Sequence, residues 1–227
     1  MKTNLSLTPF FATPFFALAC LALAASAHAA AVLTSHEGAV TVSLPGQPAA
    51  PAKANEQIPA GATVTTGPHA RARLRFDDGQ LVVLDRRTRF ELVAYRYDAA
   101  KPSEGRIDLK LDAGALRAVP GRVGRDNPKG VSVELPQATL TVQNADFIAA
   151  LQKSGAYLWV VGGTISASND AGARVLNSGP PWSIASRSAP TKQIFAADLP
   201  LSASEAFVNL TSIPGLELRT AAEDAGS

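Results

Sequence analysis

The chain of 227 residues has one cysteine, one methionine, three histidines and two tryptophans. One cysteine excludes an internal disulfide framework and a cysteine-rich zinc site. Three histidines leave little room for a histidine-built metal centre. Charge is scarce as well. Charged residues make up 18%, and the formal net charge is +2, too small for the basic face that nucleic-acid binding requires. Thiol enzymes and most metalloenzymes are thereby disfavoured, and no cofactor is called for. No Gly-x-Ser-x-Gly elbow occurs. Gly162-Gly163 leads into Thr164-Ile165-Ser166, which is not helix-forming, so a phosphate-binding loop is not supported. Asp77-Asp78 precedes Gly79 and reads as a turn, because neighbouring strand carboxylates point to opposite faces. His36 and His69 are isolated and read as surface or cap residues.

The one long apolar run lies at the start. Phe10 to Ala25 is almost wholly apolar and is followed by Ala27-His28-Ala29, a small-x-small cleavage pattern. The run is short of the roughly 20 residues a span needs and contains Pro14. Residues 1–29 are therefore expected to be a signal peptide cleaved near Ala29, delivering the chain to the periplasm. Cys20 lies within the run, with Leu21-Ala22-Leu23 after it, so it reads as part of the leader and not as a lipid-attachment site.

The remainder, 46% hydrophobic over the whole chain, carries period-two alternation. Ala70 to Phe76 places three arginines on one face and Ala, Leu and Phe on the other, and Asp77-Asp78-Gly79 ends it. Gln80–Leu84, Arg89–Ala94, Ile107–Asp112, Val131–Leu135, Thr139–Val142 and Tyr157–Val161 read as further strands. Leu74, Phe76, Leu109, Leu111, Val133 and Leu140 should face the core. The expected fold is all-β: an antiparallel sandwich, jelly-roll-like, or a short β-solenoid of many short strands. Pro45–Gly61 reads as an excursion from the sheet, and Asp98–Gly105 and Gly121–Gly130 as polar loops. After Ile165 the pattern weakens. One helix is expected there, capped by Ser202 or Ser204, with Phe207 and Leu210 on one face, stopping before Pro214-Gly215.

The charged constellation with the clearest pattern is the arginine face of Arg71, Arg73 and Arg75, with Arg86, Arg87 and Arg89 after the next strand. Neighbouring strands could merge these into one anion-attracting patch. The alternative is a solvated outer face paired with Asp85, Glu91 and Asp108, which also guards a strand against edge-to-edge association. The candidate partner-binding residues are Arg71, Arg73, Arg75, Arg86 and Arg89. Tyr95, Tyr97, Tyr157, Trp159 and Trp182 could form a sugar-stacking platform or simply pack in the core.

The block Ala62 to Gly79 resembles the FecR-like periplasmic domain, whose pattern there is Thr-Gly followed by alternating apolar residues and Asp-Gly. Ile107–Arg117 resembles its Leu-x-x-Gly-x-apolar-Arg strand, Val131–Ala138 its strand ending before Pro, and Tyr157–Ile165 its closing strand. The resemblance covers residues 37 to 167. It departs at Gln143-Asn144-Ala145, where the family carries Arg-Gly-Thr; Asp146 and Phe147 fit. Asn is the best non-glycine residue for a positive φ, so the turn is expected to survive. FecR proper couples a cytoplasmic sigma-factor regulator, through a membrane helix, to a periplasmic part. The resemblance thus implies a periplasmic module here, without the cytoplasmic segment. The expected organisation is a signal peptide (1–29), a FecR-like β-domain (30–167) and a C-terminal extension (168–227). The expected function is that of a non-enzymatic envelope protein engaged in binding, signalling or assembly, with an envelope protein or glycan as partner and no nucleic acid. The alternatives are a carbohydrate- or peptidoglycan-binding module, or an enzyme acting on polysaccharide.

Overall fold

The computed structural model describes residues 29–213. The expected signal peptide, but for its last residue Ala29, lies outside them. In chain order the elements are β1 (Ala29–Glu37), β2 (Val40–Ser43), β3 (Ala50–Pro51), β4 (Glu56–Pro59), β5 (Thr63–Thr66), β6 (Arg71–Phe76), β7 (Leu81–Leu84) and β8 (Arg89–Arg96). Then come β9 (Arg106–Ala113), β10 (Ala115–Val119), α1 (Arg122–Asp126), β11 (Val131–Glu134), β12 (Thr139–Gln152) and β13 (Gly155–Asn169). The last elements are β14 (Gly172–Asn177), β15 (Trp182–Ile184), β16 (Lys192–Gln193) and α2 (Leu201–Thr211).

The strands form one curled sheet in the order β3-β2-β5-β8-β9-β11-β12-β10-β7-β6-β1-β4, with β13 on the other edge of β12. All described pairs are antiparallel except β9 with β11, so the antiparallel reading holds and no stacked parallel coils occur among the described residues. The sheet curls because apolar residues alternate on its inner side. Leu74, Phe76, Leu109, Leu111, Val133 and Leu140 are all buried to within 1%, as the alternation predicts. At about 25 cal/mol per Å² of apolar surface removed from water, such side chains each contribute about 1.5–3 kcal/mol.

The long hairpin β12–β13 is the spine. The first part of β12 pairs with β11 and its last part with β10. The first part of β13 pairs with β15 and its last part with β14. Between the two parts the register shifts, between Gln143 and Asp146 and again between Asp146 and Phe147. Leu140 and Val142 point into the core before the shift, and Ala145, Phe147 and Ala149 after it. The inward parity has changed from even to odd, as an inserted bulge residue requires. Asn144 sits at φ 45° and Gly163 at φ 79°. A Cβ on Gly163 would lie 2.0 Å from the Asn144 carbonyl oxygen, so glycine is obligatory there.

Several expectations need correction. Residues 45–61 contain β3 and β4, and β4 pairs with β1. The expected loop 121–130 holds α1, whose buried Val123 packs into the core. The Asp78 side chain accepts hydrogen bonds from the backbone N–H of Gln80 (3.0 Å) and of Val123 (3.1 Å), tying the β6–β7 turn to the start of α1. Beyond Ile165 the sheet continues through β13, β14, β15 and β16. The final helix starts earlier than expected, with Pro200 as its N-cap and no side-chain cap. Ser202 instead donates to Gln152 (2.7 Å). The proline, fixed near φ −56°, is already suited to a helix entry.

Candidate functional site

Period-two alternation puts Arg71, Arg73 and Arg75 on the outer face of β6, with Ala72, Leu74 and Phe76 inward. β6 is bonded to β1 and β7, and on β7 the outward neighbours of Arg73 and Arg75 are Val83 and Leu81. Val83 is buried because α2 covers this side of the sheet. Under the helix lie Val83, Ala115, Ile148, Ala150 and Tyr157, which meet Ala203, Ala206, Phe207, Leu210 and Ile213. Trp159 and Phe207 face each other at 6.1 Å. The arginine row therefore runs beside a docked helix.

Polar contacts fix one side of the helix, where Glu205 and Asn209 lie one turn apart, to a single corner of the sheet. Asp85, 3% exposed in its side chain, accepts from Arg71 Nε (3.3 Å) on one oxygen and from Asn209 Nδ2 (3.2 Å) on the other. Arg86 pairs with Glu205 of α2. The corner carrying Asp85 and Arg86 is built by threonines. Thr66 Oγ1 and Thr88 Oγ1 donate to the Asp85 carbonyl at 2.6 and 2.7 Å. Ala115 N–H donates to Thr88 Oγ1 (3.1 Å).

Beneath the helix C-terminus lies Arg117, 1% exposed in its side chain. Its Nε and Nη2 donate to the two carboxylate oxygens of Asp146 at 2.9 and 2.7 Å, and its Nη1 donates to the Leu210 carbonyl at 3.1 Å. A bidentate pair is the strong form of the ion pair. The cation also meets the negative end of the helix dipole and an end carbonyl that lacks an intrahelical partner. Sequence reading missed Arg117 and Asp146 as a unit. The signal was an arginine inside the apolar strand Ala115–Val119.

At the end of α2 a groove of about 330 Å³ opens between the helix and β1 and β6, lined by His36, Glu37, Arg71, Arg73, Val83 and Ile213 among others. The structure thus brings Arg71, Arg73 and Arg86 to α2, while Arg75 continues the row along β6 opposite Leu81. Arg89 stands apart: β8 is bonded to β5 and β9, and Arg89 pairs with Asp112 at 3.5 Å. Of the expected acidic partners, Asp85 pairs with Arg71, whereas Asp108 pairs with Arg106. The aromatic residues do not form an exposed row. Tyr157 and Trp182 are buried, and Tyr95 packs on Phe76 at 5.8 Å.

Burial raises the Asp78 carboxyl above its ordinary value, against the opposing pull of the Gln80 and Val123 N–H groups and of Arg125. Burial also raises the Tyr95 hydroxyl, helped by the nearby Asp78 charge. Both serve the β6–β7 turn, where Tyr95 Oη accepts from Asp78 N–H (3.1 Å). Among the described residues, no three His, Cys, Asp or Glu side chains converge as metal ligands. No described helix is long and apolar enough to cross a membrane.

No curated protein matches the chain. Two crystal structures, at 1.65 and 2.50 Å, of a protein proposed to be an anti-sigma factor from Parabacteroides distasonis ATCC 8503 are similar to it at 16% identity and a TM-score of 0.46. The likeness covers 59% of this chain and 60% of that one, so this chain spans less than two thirds of that protein's length. The FecR family profile, described as FecR protein, matches residues 62–166. That stretch runs from the residue before β5 into β13 and includes β6, the Arg117–Asp146 pair and the bulge at Asn144. The chain carries a FecR-like domain.

Proposed function

We propose that the chain is an exported, non-enzymatic regulatory module of the bacterial envelope, and that it engages an acidic protein partner through the arginine row beside α2. The observation that carries this reading is the FecR match over residues 62–166, which contains Arg71, Arg73, Arg75 and Arg86 within one domain. Arg71 already has Asp85 as a counter-charge, so an anionic partner acts by adding attraction along the row and not by supplying a missing counter-ion. Each exposed pair contributes only about 0–1 kcal/mol, so several must act together, and screening over about 8 Å in physiological salt makes the contact salt-sensitive.

Export is tested by intact mass. Protein recovered from the periplasm should begin at Ala30 or within a residue or two of it, whereas a lipid-modified Cys20 at the start would refute simple cleavage. Binding is tested by crosslinking in the envelope from a photoreactive residue at position 75, followed by affinity measurement for Arg73→Glu combined with Arg75→Glu. The crosslinked protein should lose affinity and salt dependence in that variant. Unchanged affinity in a folded variant reduces the row to solvated surface.

A further inference from the structure

We infer that the open face of the β11–β12–β13–β14 region is a binding surface for an extended acidic polysaccharide, a chain that carries hydroxyl and carboxylate groups along its length. This site is separate from the arginine row and does not rest on the reading of that row. Ser132 of β11 stands opposite Thr141 of β12, and Thr141 opposite Ser166 of β13. The row continues to Val175 of the edge strand β14. One step along the strands, Gln143, Thr164 and Asn177 form the next row. Within the sheet such rows place side chains about 4.8 Å apart across strands, a repeat comparable to the length of one pyranose ring.

The hydroxyls of Ser132, Thr141 and Ser166 make no side-chain hydrogen bond to any described group, whereas Thr164 donates to Asn177 (3.3 Å). Each hydroxyl is both donor and acceptor, so the row can meet a ligand whose own groups are both. The face forms a groove of about 490 Å³ that Arg106 and Lys129 also line. Arg106 is held by Asp108 at 2.7 Å. Lys129 makes no ion pair among the described residues and supplies a cation for a carboxylate. Its composition argues against a protein occupant. Protein interfaces centre on aromatic, Met and Arg side chains and are poor in Ser; this groove has no aromatic or Met, its one arginine is held by Asp108, and Val175 and Pro128 are its apolar side chains.

The test uses the full chain as recovered after expression, in native gels cast with soluble polygalacturonate or with dextran. Polygalacturonate should retard the protein, dextran distinctly less, and added salt should weaken the effect. Ser132→Val, Thr141→Val and Ser166→Val together should reduce affinity at least tenfold. Thr141→Ser, which keeps the hydroxyl, should retain it. Lys129→Glu, an exposed change that leaves the strands intact, should weaken binding severalfold even if the triple variant does not fold. Arg73→Glu with Arg75→Glu should leave retention unchanged. The inference is overturned by no retardation of the wild-type chain, by equal retardation in dextran, by unchanged binding in Lys129→Glu, or by loss of binding in the Arg73/Arg75 variant.

Discussion

The two halves of the β12–β13 hairpin belong to the same pair of strands and have opposite outer surfaces. Before the bulge the outward side chains are Thr139, Thr141 and Gln143 on one strand and Thr164, Ser166 and Ser168 on the other, open to solvent. After it they include Ile148, Ala150, Tyr157 and Trp159, and α2 lies on them. A one-residue register change exchanges which residues face the core, so each half can have its own outer chemistry while the inner face stays continuous. Alternation in a sheet shows which residues are buried only while the register holds.

The largest effect should come from removing that register change. Gly163→Val places a side chain against the Asn144 carbonyl in a backbone region valine does not adopt. We expect a loss of about 4 kcal/mol or failure to fold, measured by urea unfolding. Arg117→Ala should come next, at about 3 kcal/mol. It strips Asp146 and the Leu210 carbonyl of their shared donor, and amide exchange should rise in α2 before it rises in β11. The contrast between the halves is then tested with matched truncations. Ile148→Ala should cost about 2–4 kcal/mol, and Thr141→Ala about 0.5 kcal/mol or a little more. Equal costs would mean that the two halves are not differently covered.

The smallest effect lies outside the hairpin, at Asp78. Burial raises its carboxyl in the folded chain, so the folded state takes up that proton at higher pH than the unfolded state does. The group's favourable contribution is therefore complete below the unfolded value of 3.8 and is lost as pH rises through the folded value. In urea unfolding from about pH 7 down to about pH 4, the wild-type chain should gain stability relative to Asp78→Asn as pH falls. A difference between the two that is independent of pH would contradict the assignment.

The short strands were readable because each is a clean run of alternation closed by a turn signal, as in Ala70–Gly79. Their inward residues follow directly from that pattern, and the FecR-like segments could be ordered along the chain. The full length of β12 and β13 was not readable, because alternation fails at the bulge and two strands whose register changes midway look like four fragments. α1 is only five residues long and sits among glycines, so no helical period could develop. The start of α2 was misplaced because serine is the commoner cap, while here Pro200 sets the entry angle. Within the candidate site, the arginine row on β6 follows from alternation, but its neighbour α2 does not. Arg117 was hidden for a related reason: its partners, Asp146 and Leu210, are 29 and 93 residues away in the chain.

That 93-residue separation has a kinetic consequence. β12 and β13 are joined by a tight turn and can pair as soon as both exist, whereas closing the α2 contact must await nearly the last of the described residues. During synthesis, the surface of Val83, Ile148, Tyr157 and Trp159 is complete in sequence before its cover arrives. The interval between assembly of the sheet and docking of the helix is then the period in which this chain is most open to capture by a chaperone or by another copy of itself. A chain ending at Pro200 would never leave that interval, and light scattering during its refolding should show association that the full chain avoids.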